Sequence, residues 1–113
     1  MNVRELIGEL VAAWQSYDAH RASAFFAPNG IYRESGREPI VGREAIYEHF
    51  KRFFRDGPAW QLGVEEIIVE GDRAAVVYRF DVKDARGEWR ARAGCAIVRH
   101  NGGSIVEWRE FMG

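Results

Sequence analysis

Arg79, Asp81 and Glu110 are the residues of this chain whose types and spacing best suit acid–base chemistry. Arg79 and Asp81 belong to the run Tyr78-Arg79-Phe80-Asp81-Val82. Glu110 closes the run Trp108-Arg109-Glu110-Phe111. Both runs read as β-strand, and a strand points alternate side chains to opposite faces. Arg79 and Asp81 therefore share one face, while Tyr78, Phe80 and Val82 share the other. If the Arg79/Asp81 face is covered, a cation can stand between two carboxylates, which is an arrangement for moving protons. The same alternation also describes a strand with one wet face, in which case Arg79 and Asp81 meet water.

Those strands need a frame. Val3, Leu6, Ile7, Leu10, Val11 and Trp14 recur with helical spacing and predict an amphipathic first helix. Asp18 reads as the N-cap of a short second helix carrying Ala22, Phe25 and Phe26, which Pro28-Asn29-Gly30 stops. Ile31 to Glu34 reads as a short strand, and Ser35 to Pro39 as a turn. Arg43 to Phe54 reads as a third helix with Ile46, Phe50 and Phe53 inward, ended by Asp56-Gly57-Pro58. Four long strand-like runs follow, Trp60–Glu70, Arg73–Lys83, Trp89–Arg99 and Ser104–Phe111, separated by turn signals. The apolar phase of the first run changes at Glu65-Glu66, which predicts a bulge that curves the sheet. Helices first and an antiparallel meander afterwards predict an α+β fold.

Strand arithmetic brings the candidate residues together. A four-residue turn at Asp84–Gly87 pairs Lys83 with Glu88, hence Arg79 with Arg92. A three-residue loop at Asn101–Gly103 pairs His100 with Ser104, hence Gly94 with Glu110. Directly paired residues lie on one face. Arg79, Asp81, Arg92, Gly94, Trp108 and Glu110 then share a face, with Gly94 leaving room between Arg79 and Glu110, which stand about 10 Å plus a diagonal step apart. Tyr78, Phe80, Val82, Trp89, Cys95 and Ile97 fall on the opposite face, where they would form an apolar patch suited to a symmetric homodimer.

The chain has 113 residues and a net charge of −1. That length predicts a single domain over 1–113, and the charge argues against a nucleic-acid partner. The one cysteine, Cys95, has no internal disulfide partner, and no Cys/His spacing suggests a metal. No apolar run approaches the roughly 18–20 residues of a membrane span, and the N-terminus lacks a signal-peptide layout. No membrane partner and a cytoplasmic setting are expected. His49, beside the apolar stripe of the third helix, reads first as a partly buried structural histidine.

The order helix, helix, short strand, helix and four-strand meander resembles the SnoaL-like, nuclear transport factor 2-like superfamily. Phe26-Ala27-Pro28 before the short strand and Pro39-Ile40-Val41-Gly42-Arg43-Glu44-Ala45-Ile46 at the third helix are similar to its small bacterial members. The resemblance implies a cone of three N-terminal helices packed on a curved antiparallel sheet. Within the superfamily, Arg79-Phe80-Asp81, Trp108-Arg109-Glu110-Phe111 and Tyr32 resemble the limonene epoxide hydrolase group, with Glu34 standing where that group has Asn. That resemblance implies a cofactor-independent enzyme adding water to an epoxide. Asp81 is then the acid, Glu110 the base and Arg79 the bridge. Tyr32 would donate to Glu110 or position the water. Trp108, Arg92 and Gly94 would line the ligand pocket. The ketosteroid isomerase branch implies a different chemistry, in which Glu34 moves a proton beside a carbonyl; near Leu10 and Ala96, where that branch has donors, this chain has none. A non-catalytic domain binding a small organic molecule is the third reading.

Overall fold

The helical spacing at the N-terminus produces α1, Val3–Gln15, with Leu6, Ile7 and Leu10 fully buried. Asn2 caps it by accepting the Glu5 N–H at 2.8 Å. Each such apolar side chain contributes about 1.5–3 kcal/mol on burial. Asp18 caps α2, Ala19–Ala24, by accepting the Arg21 N–H at 3.0 Å. The second helix ends earlier than its apolar residues suggest, because Phe26 already opens β1, Phe26–Arg33. Pro28-Asn29-Gly30 lies within that irregular strand rather than behind a helix. A two-residue β2, Ile40–Val41, pairs with β1 and precedes α3, Arg43–Asp56. A computed structural model describes residues 1–113.

The remaining chain forms β3, Trp60–Glu70; β4, Arg73–Lys83; β5, Trp89–Asn101; and β6, Ser104–Met112. One six-stranded sheet results, in the order β2-β1-β6-β5-β4-β3. Every neighbouring pair is antiparallel except β1 with β6. The expected bulge occurs between Val64 and Glu66. The helices cover one face of the sheet, where Trp14, Ile46, Phe50, Val76, Val98 and Trp108 are buried. Fold class and, apart from β2 and the earlier start of β1, element order therefore follow the sequence reading.

One register does not. The loop between β4 and β5 is Asp84–Glu88, five residues rather than four, so Lys83 pairs with Trp89 and Arg79 with Ala93. The Asp84 carboxylate accepts the N–H groups of Arg86 and Glu88, each at 2.9 Å. Gly87, at φ 80°, supplies the left-handed residue that ends such a loop. A slip of one residue moves every side chain of a strand to the other face. Tyr78 now pairs with Gly94, and Phe80 with Arg92. Tyr78, Phe80 and Val82 therefore point toward the helices, not to an outer association face. Arg79 and Asp81 take the outer face, with Val77, Cys95 and Ile97. At the other hairpin, a two-residue turn and a bulge at Arg99/His100 shift the pairing by two, so Glu110 lies opposite Ala96 and keeps its expected face.

Candidate active site

Between α1, α3 and the inner face of the sheet lies a cavity of about 480 Å³. That is the size of a site for a small organic molecule. Much of its wall is aromatic, with Trp14, Phe50, Phe53, Phe54, Trp60 and Phe80 contributing rings. Its ionisable groups are Glu34, Arg37, His49 and Arg92, the two tyrosines Tyr32 and Tyr78, and Glu110 on the sheet.

Glu110 is the hub. Trp108, two residues earlier on β6, donates its indole N–H to Oε2 at 3.2 Å. Tyr78, from β4, donates to the same oxygen at 3.0 Å. Tyr32, from β1, donates to Oε1 at 3.4 Å. Three donors from three strands thus converge on one carboxyl. Tyr78 reaches it by lying across β5, and Gly94 is what lets it pass. A methyl group there would stand 2.4 Å from Tyr78 Cε2. Burial pushes the Glu110 pKa up, and the donated hydrogen bonds from Trp108 and Tyr78 only partly offset it; the Glu34 charge adds to the rise. Burial and the Glu110 charge likewise hold the Tyr32 and Tyr78 hydroxyls in their neutral, donating form.

Glu34 is the opposite case. Its Oε1 stands 3.5 Å from His49 Nε2. The hydrogen bond from His49 lowers its pKa, against burial, and the Arg37 charge helps. Two carboxyls on one cavity therefore titrate in opposite directions, an arrangement that separates an acid from a base. Trp60 leaves its indole N–H buried without an acceptor, among the rings of Tyr17, Phe53, Phe54 and Phe80.

The structure brings Tyr32, Glu34, Arg92, Gly94, Trp108 and Glu110 to one side of the sheet. It does not bring Arg79 or Asp81 there. They pair with each other at 3.0 Å on the outer face, with the Arg79 side chain 63% exposed. The bridge between Asp81 and Glu110 is therefore absent, for the register reason given above. Sequence reasoning missed Tyr78 and His49 as site residues. The large–small pairing of Tyr78 with Gly94 was a readable signal once the loop is counted as the five residues Asp84 to Glu88. For His49 the signal was its position between Ile46 and Phe53 on the inward stripe of α3. No three His, Cys, Asp or Glu side chains gather as metal ligands would.

These shifts carry a stability signature. An unfolded glutamate titrates near 4.5. Above that value the unfolded chain has lost the Glu110 proton while the folded chain still holds it, so stability falls as pH rises through the folded pKa. Glu34 has the reverse sign: its contribution is present above 4.5 and is lost as pH falls through its lowered pKa. Urea denaturation across a pH series should show Glu110→Gln losing the alkaline-side decline that the wild type displays. Parallel curves for the two proteins would mean that Glu110 titrates as an ordinary exposed carboxyl.

The sequence profile of the SnoaL-like domain family matches residues 7–108. No curated protein matches the chain. Solved structures with the same architecture include a Catenulispora acidiphila protein of ketosteroid isomerase-like fold in complex with trimethylamine, 18% identical, at a TM-score of 0.85 over 95% of this chain and 84% of that one. A SnoaL-like polyketide cyclase, so described, from Jannaschia sp. CCS1 is 17% identical, at a TM-score of 0.81 over 96% of this chain and 83% of that one. The epoxide hydrolase/cyclase-like enzyme SalBIII, described as acting in pyran ring formation in salinomycin, is 17% identical, at a TM-score of 0.84 over 97% of this chain and 89% of that one. At such identities the neighbours speak for the fold alone. With the family profile matched over residues 7–108 and this shared architecture, the chain belongs to the SnoaL-like domain family and has the nuclear transport factor 2-like fold.

Proposed function

We propose that the protein is a cofactor-independent acid–base enzyme that opens an epoxide on a small, largely apolar molecule. The observation that carries this reading is two carboxyls in unlike surroundings on one cavity: Glu110 buried among Trp108, Tyr78 and Tyr32, and Glu34 beside His49, so that burial raises the pKa of the first and the hydrogen bond lowers that of the second. Glu110, with its raised pKa, gives its proton to the ring oxygen as the C–O bond breaks. A water molecule attacks the carbon, and the Glu34 carboxylate, held by His49, takes the proton that water loses. The product is a vicinal diol. Solvent then carries the proton from Glu34 back to Glu110. The roles differ from those implied by the epoxide hydrolase resemblance: Glu110 is acid rather than base, and Asp81 has no part.

The proton-transfer reading beside a carbonyl is weaker. Such an enzyme needs hydrogen-bond donors free to meet the developing oxyanion. Tyr32 and Tyr78 both spend their hydroxyl protons on Glu110. Neighbours described as epoxide hydrolase/cyclase-like or as polyketide cyclases lend the first reading a precedent on this fold.

The test is the pH dependence of diol formation from a panel of aryl and alkyl epoxides. Activity should rise as pH climbs through the Glu34 pKa and fall as it climbs through that of Glu110, giving a bell. In His49→Ala the hydrogen bond that depresses Glu34 is gone, so the rising limb should move to higher pH. An unmoved limb would remove Glu34 from the mechanism. Absence of turnover across the panel would leave the cavity a binding site only.

A further inference from the structure

Two arginines stand at the solvent-exposed side of a cavity whose wall is largely aromatic. Arg37, in the turn after β1, and Arg92, on the inner face of β5, both line it, and both are exposed to solvent. Neither has an Asp or Glu side chain within ion-pair distance, whereas Arg33, Arg79 and Arg90 each do. Arg92 uses only its Nε, on the Gly113 carbonyl at 3.3 Å, so the two terminal nitrogens of its fork remain free. The interior is different in kind. Phe50, Phe54 and Trp60 form a run of near-parallel rings, tilted by 21° and 22° from one to the next. Glu110 sits beyond the rim, on the sheet among its three donors.

We infer that this cavity takes a planar, apolar molecule bearing a carboxylate, with the ring system against the Phe50/Phe54/Trp60 wall and the carboxylate at the mouth between Arg37 and Arg92. This rests on the reading of the cavity as the substrate site. The physical argument has three parts. Guanidinium forks match a carboxylate in geometry as well as charge. Flat rings favour offset or tilted packing with other rings over saturated chains of equal area. The Glu34 carboxylate lines the same cavity, and Glu110 is buried on the sheet, so an anionic group is disfavoured in the interior and held at the rim. The molecule is thereby oriented, and the end remote from its carboxylate meets Glu110. A cationic ligand would face the two arginines, and a neutral one would leave them without function at the entrance.

Isothermal titration of 2-naphthoate against 2-naphthamide tests this, because the two differ in charge and hardly in shape. Exposed ion pairs contribute about 1.4- to fivefold each, so two should favour the acid by about 2- to 25-fold. In the Arg37→Gln/Arg92→Gln double variant the two affinities should converge, with the acid weakened to the level of the amide. Added salt should weaken the acid and spare the amide. Equal binding of acid and amide by the wild type would overturn the inference. So would a preference that survives in the double variant, or failure of either compound to bind. Binding is read without turnover, so Glu110→Gln separates the two ideas. Acid preference retained in a Glu110→Gln protein supports the rim, whatever that variant does to ring opening.

Discussion

Glu110→Gln is expected to lower the proposed epoxide opening by about 10²–10⁴-fold, the range a positioned general acid contributes, while Asp81→Asn should leave it within about twofold. The first substitution keeps the volume of the side chain and an oxygen to receive the Trp108 and Tyr78 hydrogen bonds, while its amide nitrogen can donate to the Tyr32 hydroxyl. It removes the acidic proton that the ring oxygen needs. The expected loss is equivalent to about 3–5 kcal/mol of transition-state stabilisation. The second substitution changes a residue on the outer face of β4, hydrogen-bonded to Arg79 at 3.0 Å. Its side chain has no line to the cavity except through the sheet. Rates of diol formation measured for both variants, alongside their urea midpoints, decide the matter. Equal damage by both would restore Asp81 to the chemistry and contradict the register of β4.

The second large effect is expected at Gly94. A methyl group there meets Tyr78 Cε2 at 2.4 Å, Tyr78 Cζ at 2.7 Å and Met112 Sδ at 2.8 Å. Tyr78 is only 2% exposed, so its ring has little room to retreat. Gly94→Ala should destabilise the protein by about 1–3 kcal/mol, the usual cost of forcing extra volume into a packed site. The loss should be specific to the clash. In the Tyr78→Ala background the same substitution should cost little, giving a coupling energy above about 0.5 kcal/mol in the double-mutant cycle. Catalysis should respond in a way that stability alone does not. Moving Tyr78 withdraws a hydrogen bond that lowers the Glu110 pKa, so the falling limb of the pH–rate profile should shift upward. Tyr78→Phe should reproduce that shift with a smaller loss of stability. A Gly94→Ala enzyme with an unmoved limb would make Gly94 a matter of packing only.

Much of the fold was legible because periodicity is a local property. Val3 to Trp14 write the first helix in their spacing, Asn101-Gly102-Gly103 and Gly71-Asp72 mark turns, and the phase change at Glu65-Glu66 marks the bulge. The two-residue β2 was not legible, since Ile40-Val41 gains strand character only from β1 beside it. The faces of β4 were harder still. Tyr78, Phe80 and Val82 are apolar and Arg79 and Asp81 charged, so alternation alone already placed the apolar set inward. The assumed turn length overrode that signal and turned the strand over. The identity of Glu110 as a site residue survived because its own hairpin erred by two positions, which preserves the face. His49 was hidden by its neighbours: a histidine on an apolar stripe declares burial, and only Glu34, brought across just after the end of β1, gives it a partner.

The loop from Asp84 to Glu88 is at the surface, apart from the residues that line the cavity. A mutational survey confined to those lining residues would pass over Asp84 and Gly87 entirely. Yet the two N–H groups gathered by the Asp84 carboxylate, and the left-handed turn at Gly87, decide whether β4 offers the cavity a neutral phenol or an ion pair. In a lineage of such proteins, gain or loss of one residue at this tip would exchange the side chains that β4 turns toward the cavity without substituting a single residue of the strand itself.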